Sequence, residues 1–164
     1  MFTAHDIIDI AIQLEKNGEK TYRNAANCAS DRELKKLLDW VADEERNHAQ
    51  WFCNVKNRLV KGEDHHLISE MSRALVEDVI KGQAFSLEEI DFSTLDTPEK
   101  MIHTFVGFET DTITFYELIA SFVDDPAVDS QLEQIIAEEK KHIAQFRGLL
   151  KTLERKTQTH GKVA

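Results

Sequence analysis

The chain has 164 residues, of which 41% are hydrophobic and 30% charged, and a formal net charge of −10. This length and balance fit one globular domain with one sizeable core, and the acidity argues against nucleic acid or an anionic membrane surface as partners. The sequence has no apolar run of the roughly 18 residues that a membrane span needs, no secretory signal at its start and no C-x-x-C pair. These features predict a cytoplasmic protein.

Four segments of the chain show the apolar spacing of long helices. They run over about residues 3–27 and 31–60, from residue 98 onward, and from about residue 126 onward. Thr97 is the expected N-cap of the third helix, with Pro98 in its first turn. The links within each pair of helices are short, so each pair is predicted to form an antiparallel hairpin.

Residues 61–97 separate the two hairpins and contain a shorter amphipathic segment, "HLISEMSRALVEDVIKG". A link of this length can run along a helical bundle and join its ends. The sequence therefore predicts an all-α, four-helix bundle as a single domain over residues 1–157. Its parts are a hairpin at 3–60, a crossover at 61–97 and a hairpin at 98–157, followed by a flexible tail at 158–164. The polar residues after about Glu154 are expected to fray.

The two hairpins are internal repeats of each other. "EERNH" at residues 44–48 matches "EEKKH" at 138–142, and "EKNGEKTY" at 15–22 matches "ETDTITFY" at 109–116. A single offset of 94 residues, without gaps, pairs Glu15 with Glu109, Tyr22 with Tyr116, Glu45 with Glu139, His48 with His142, Phe52 with Phe146 and Leu59 with Leu153.

Helical spacing places six of these polar residues on the apolar stripes of their helices. Burying one unpaired carboxylate costs several kcal/mol, and no Lys or Arg lies on the stripes. A single E-x-x-H is usually a surface pair, and a lone core His is usually hydrogen-bonded, but two divalent cations explain the whole set. Glu44 and Glu138 fall off this face, either solvated or beside the ligands. The candidate metal ligands are Glu15, Glu45, His48, Glu109, Glu139 and His142.

At these residues the chain resembles the rubrerythrin-type branch of the ferritin-like superfamily. The motifs that carry the resemblance are "LEKNGEKTYRNAA", "ADEERNHAQWF", "FETDTITFYELI" and "IAEEKKHIAQF". The resemblance implies a ferritin-like bundle with a di-iron site held by the six candidate ligands. It also implies that Tyr22 and Tyr116 hydrogen-bond to ligand carboxylates and fix their orientation.

The sequence departs from the rubrerythrin pattern in two places. Rubrerythrins carry a rubredoxin-like module with two C-x-x-C pairs, which this sequence lacks. They also carry a further Glu ligand three residues after the first one on the third helix, where this chain has Thr112. The resulting set of four Glu and two His is closer to bacterioferritin and weakens the case for rubrerythrin-style peroxidase activity.

The expected function is that of a di-iron protein that reacts with hydrogen peroxide or O2 in oxidative-stress defence. Because the chain has no C-x-x-C pair, it would need an external electron donor such as rubredoxin. Two alternatives remain open, namely ferritin-like iron storage and a non-redox bundle that binds Zn or Mn, since E-x-x-H sites suit several first-row metals. The resemblance also implies a homodimer. The crossover segment is a candidate partner surface, and the equal alternative is that it covers the core of its own bundle.

Overall fold

The computed structural model describes residues 4–58, 90–91, 94–121 and 126–160. Within these residues there are four helices and no strand, as the sequence predicted. The predicted crossover falls largely outside the described residues, as does the end of the predicted tail, so both stay predictions. The helices are α1 (Ala4–Cys28), α2 (Arg32–Arg58), α3 (Pro98–Ala120) and α4 (Pro126–His160).

The first two helices form the predicted antiparallel hairpin. The ion pair between Lys56 and Asp9 joins the end of α2 to the start of α1. At the other end of the hairpin, Lys35 Nζ donates to the carbonyl oxygen of Ala26 at 3.1 Å. Between them, Arg23 donates to the carbonyl oxygen of Asp39 at 3.2 Å. Residue numbers thus rise along one helix as they fall along the other, which is the signature of an antiparallel pair.

The second hairpin begins where the sequence predicted. Thr97 Oγ1 accepts a hydrogen bond of 3.3 Å from the backbone N–H of Lys100 and so caps α3, while Pro98 occupies the first turn. The end of α4 differs from the expectation, because the helix continues past Glu154 to His160. The stretch is polar but contains no Gly or Pro before Gly161, and helix propensity rather than polarity decides where a helix ends.

Aromatic side chains pack across the two hairpins and fill the centre of the bundle. The ring of Tyr22 on α1 lies 4.9 Å from that of Phe105 on α3, and Phe52 on α2 lies 5.2 Å from Tyr116 on α3. Each such side chain contributes about 1.5–3 kcal/mol when it is fully buried. The core therefore joins both hairpins into one body, with polar side chains enclosed at its middle.

No helix in the described part of the chain combines the length and the apolar character needed to cross a membrane.

Candidate metal centre

The six candidate ligands meet in the middle of the bundle, shielded from solvent. All four glutamates and His142 are fully buried, and His48 is only 3% exposed. α1 and α3 supply one Glu each, and α2 and α4 supply one E-x-x-H pair each. In each E-x-x-H pair the two side chains are three residues apart and share a helix face. The structure therefore brings together all the residues that the sequence predicted.

Their potential ligand atoms form two overlapping groups, and within each group these atoms all lie within 4.8 Å of one another. We call these the His48 group and the His142 group. Glu45 and Glu139 belong to both groups, whereas Glu15 joins only the first and Glu109 only the second. The 94-residue offset converts one group into the other. The His48 group is Glu15, Glu45, His48 and Glu139, and the His142 group is Glu45, Glu109, Glu139 and His142.

Both imidazoles turn the same ring nitrogen toward the carboxylates. His48 Nδ1 lies 3.0 Å from Glu139 Oε1 and 3.5 Å from Glu15 Oε2. His142 Nδ1 lies 2.8 Å from Glu139 Oε2 and 3.5 Å from Glu45 Oε1. The two rings are 6.2 Å apart and nearly parallel, with 27° between their planes. Glu139 thus lies between the imidazoles, with one oxygen toward each.

Most atoms of this cluster lack hydrogen-bond partners. In the described part of the chain, ten buried side-chain atoms have none, and nine of them belong to these six residues. The two Nδ1 atoms are among the nine, because their short contacts with Glu139 lack hydrogen-bond geometry. A buried polar atom without a partner costs about 1–3 kcal/mol, so the cluster requires another source of stability. Four carboxylates and two imidazoles are ligands that suit first-row divalent cations such as Fe²⁺. The residues therefore fit a pair of metal ions.

The electrostatics of the metal-free cluster show the same need for positive charge. Burial, reinforced by the charge of Glu139, raises the pKa of Glu45 well above its usual value and that of Glu109 to about 8. Burial opposes charge on the imidazoles, but the neighbouring carboxylates outweigh it and raise the pKa of His48 to about 12 and of His142 to about 10. Burial also disfavours charge on Glu139, yet the two imidazoles hold its pKa far below the usual range. Divalent cations would supply this charge and leave the imidazoles neutral.

The two tyrosines hydrogen-bond to carboxylates among the candidate ligands, which the family resemblance implied, and each bond crosses from one hairpin to the other. Tyr22 Oη on α1 donates to Glu109 Oε1 on α3, and Tyr116 Oη on α3 donates to Glu15 Oε1 on α1. Burial, together with the charge of the partner carboxylate, raises the pKa of each phenol well above its usual value. Both hydroxyls therefore keep their protons, and each fixes one oxygen of its glutamate while the other stays free.

Comparison with known proteins identifies the family to which this chain belongs. The family model described as Rubrerythrin matches residues 6–150. The chain belongs to the rubrerythrin family. A search of curated proteins gave no match. Among solved structures, the chain is similar to a protein of Thermotoga maritima described as a ferritin-like diiron-carboxylate protein, with 23% sequence identity and a TM-score of 0.71 over 92% of this chain and 95% of that one. That likeness confirms the ferritin-like fold.

One position beside the candidate ligands of this rubrerythrin-family chain holds different residues in the two repeats. Gly18 on α1 lies so close to α2 that a Cβ atom there would be 2.7 Å from Glu45 Oε2. The equivalent residue on α3 is Thr112, which is fully buried and whose hydroxyl has no hydrogen-bond partner among the residues that the structure describes. The sequence analysis did not identify this close approach. A glycine inside a helix is a weak signal for one, because the helical Gly107 has nothing within 4 Å of its Cβ position.

Two further contacts in this rubrerythrin-family chain involve the imidazole rings and residues outside the six candidate ligands. Glu138 Oε2 is 2.8 Å from His48 Nε2, so a residue that the sequence left as either solvated or ligand-adjacent contacts a ligand. Trp40 lies 5.2 Å from the ring of His142 at 88°, a contact that the sequence analysis missed. Lys141 Nζ lies 5.1 Å from the centroid of the same indole. Trp40 thus contacts both His142 and the exposed Lys141.

Proposed function

We propose that this protein is a non-haem di-iron protein of rubrerythrin type that reacts with hydrogen peroxide or O2, using electrons from an external donor. The observation that carries the proposal is that the His48 group and the His142 group, the two donor groups, share Glu45 and Glu139. Two metal positions with two shared carboxylates suit chemistry in which two electrons are delivered together. Membership of the rubrerythrin family supports iron as the metal.

In this proposal each donor group holds one ion. His48 and Glu15 would help to hold one ion and His142 and Glu109 the other, while Glu45 and Glu139, which belong to both groups, would serve both. Iron bound there would supply the redox chemistry that the side chains cannot perform. The protein's own part is to bind and orient the ions and to keep water out.

The tyrosines have two tasks in this proposal. Each holds one oxygen of a carboxylate that contacts a single ion, which leaves the other oxygen free for the metal. Tyr22 and Tyr116 are also fully buried and packed against aromatic rings, so they form part of the dry wall around the site. A water-poor site strengthens the interactions of charged groups within it.

The electron supply is proposed to be external. The sequence contains no C-x-x-C pair that could hold a rubredoxin-type iron. A separate small carrier such as rubredoxin would therefore return the iron to the ferrous state after each reaction. We further propose a homodimer in the cytoplasm. Size-exclusion chromatography with mass analysis separates a dimer from the cage expected of iron storage.

The first experiment is anaerobic loading with Fe²⁺, followed by measurement of iron per chain and of the Mössbauer spectrum before and after one equivalent of hydrogen peroxide. We expect two irons per chain that oxidise together. Stopped-flow mixing with peroxide and with O2 identifies the preferred oxidant. Glu45→Gln should abolish the fast reaction, while the neighbouring Glu44→Gln, outside both donor groups, should leave it intact.

Three outcomes would contradict the proposal. Absence of bound iron after loading would show that the buried acids do not form an iron site. Oxidation no faster than that of free Fe²⁺ would refute the redox function and leave only metal binding. Zinc or manganese retained by protein made in iron-replete cells, in place of iron, would favour the non-redox bundle.

A further inference from the structure

The two donor groups differ in what lies behind their histidines. Glu138 Oε2 is 2.8 Å from His48 Nε2. A carboxylate can only accept, so the ring N–H of His48 donates to Glu138. His142 Nε2 is buried and has no hydrogen-bond partner in the described part of the chain. The ring of His142 instead packs perpendicular to Trp40.

From this asymmetry we infer that the two metal positions are unequal, and that Glu138 is a positioning residue that makes the His48 position the tighter one. The inference rests on the proposed di-metal function and goes beyond it by ranking the two positions. It assigns Glu138 a role through His48, not through direct contact with a metal.

The physical basis is the tautomer and orientation of the imidazole. Because the Nε2 proton of His48 is held by Glu138, the lone pair of the neutral ring lies on Nδ1, the nitrogen that faces Glu139 and Glu15. The negative charge of Glu138 also makes that nitrogen a stronger base. In the described part of the chain, His142 Nε2 has no such acceptor, so only metal binding would fix which ring nitrogen carries the proton.

The two hairpins carry the same charge at the position of Glu138, so charge alone does not distinguish the two metal positions. Glu44 occupies the position equivalent to Glu138, one residue before the shared glutamate and four before the histidine. Both residues are partly exposed, but only Glu138 contacts the histidine of the opposite hairpin. The repeat also pairs Trp40, beside His142, with the exposed Gln134 on the other half. Glu44 therefore provides a matched control, with the same charge at the equivalent position but without the contact.

The test is an anaerobic titration with Co²⁺, followed by its d–d absorption, and with Fe²⁺, followed by calorimetry. We expect two binding steps in the parent protein. Glu138→Ala should weaken the tighter step by about 10–100-fold, the usual effect of removing a partner behind a ligating histidine. Glu138→Gln keeps an acceptor but no charge and should fall in between. Glu44→Ala should bind like the parent.

A double-mutant cycle assigns the effect to one histidine. In a His142→Ala background, Glu138→Ala should still weaken the remaining step about tenfold or more. In a His48→Ala background it should change affinity less than about twofold, because the group through which Glu138 acts is gone. Circular dichroism of each variant checks that the helices are retained.

The outcomes separate the inference from the proposed function. If the parent binds no metal, the proposed function fails and the inference fails with it. Two equal binding steps in the parent would overturn the inference and leave the di-metal function intact. Equal effects of Glu138→Ala and Glu44→Ala, or an effect of Glu138→Ala that persists without His48, would also overturn it, because simple charge would then explain the change.

Discussion

The α1–α2 hairpin and the α3–α4 hairpin present the same atoms to the centre of the bundle and different atoms just behind them. Each gives one Glu from its first helix, one E-x-x-H pair from its second and one Tyr that bonds across to the other half. At the equivalent position beside the candidate ligands, the first hairpin has Gly18 and the second has Thr112. The likeness covers the groups that would touch a metal or fix a ligand, together with core residues such as Phe52 and Phe146, whereas Gly18 and Thr112 differ.

The largest effect is expected from the two shared carboxylates. Glu45→Gln and Glu139→Gln should each abolish tight binding of both ions, because each residue belongs to both donor groups. Glu15→Gln and Glu109→Gln should each weaken one ion only. Metal content per chain after loading and desalting distinguishes these patterns. Loss of both ions in all four variants would show that the halves bind cooperatively and would contradict the separation into two groups.

The next effect concerns the close approach at Gly18. Gly18→Ala places a methyl group 2.7 Å from Glu45 Oε2, so the carboxylate must move. We expect binding of both ions to weaken about tenfold, or 1.4 kcal/mol, in a metal titration. Gly107→Ala is the control, because a Cβ there meets nothing within 4 Å. It should stabilise the protein by about 0.5–1 kcal/mol without changing metal affinity. Unchanged binding in Gly18→Ala would refute the argument.

The cross-hairpin tyrosines should be equivalent. Tyr22→Phe and Tyr116→Phe each leave a buried carboxylate oxygen without its donor, and we expect each to lower the free energy of unfolding by about 1–3 kcal/mol. Urea denaturation of the metal-free protein measures both. Equal losses of unfolding free energy would show that the two hairpins are equivalent at the tyrosines as well as at the candidate ligands. A loss in only one variant would confine that equivalence to the ligands.

The smallest effect is expected at Thr112. Its buried hydroxyl has no partner in the described part of the chain, whereas the hydroxyl of Thr110, on the same helix, donates to the Val106 carbonyl at 2.7 Å. Thr112→Val should therefore raise the free energy of unfolding by about 1 kcal/mol or less, by removing an unsatisfied group. Thr110→Val, on the exposed face, should change it by less than about 0.5 kcal/mol. Destabilisation by Thr112→Val would mean that the hydroxyl is used.

The sequence was sufficient for the bundle and for the burial of the six candidate ligands because both depend on helical periodicity. An acid on an apolar stripe, repeated at one offset in both halves, can be identified without coordinates. The contacts behind the ligands depend instead on the distance between helices and on side-chain rotamers. Glu44 and Glu138 occupy equivalent sequence positions, yet only Glu138 contacts a histidine. The same limit applies to the contact between Trp40 and His142, which periodicity does not encode.

The sharing of Glu45 and Glu139 means that neither hairpin alone contains a complete group of candidate ligands. Each group is built at the junction of two equivalent surfaces, in the manner of an isologous dimer whose two copies have been joined into one chain. In a true homodimer, a substitution on one copy appears on both. Within a single chain the two copies can change independently, as Gly18 and Thr112 have. A fused pair can therefore hold two chemically distinct ions in a pocket whose ligands are symmetric.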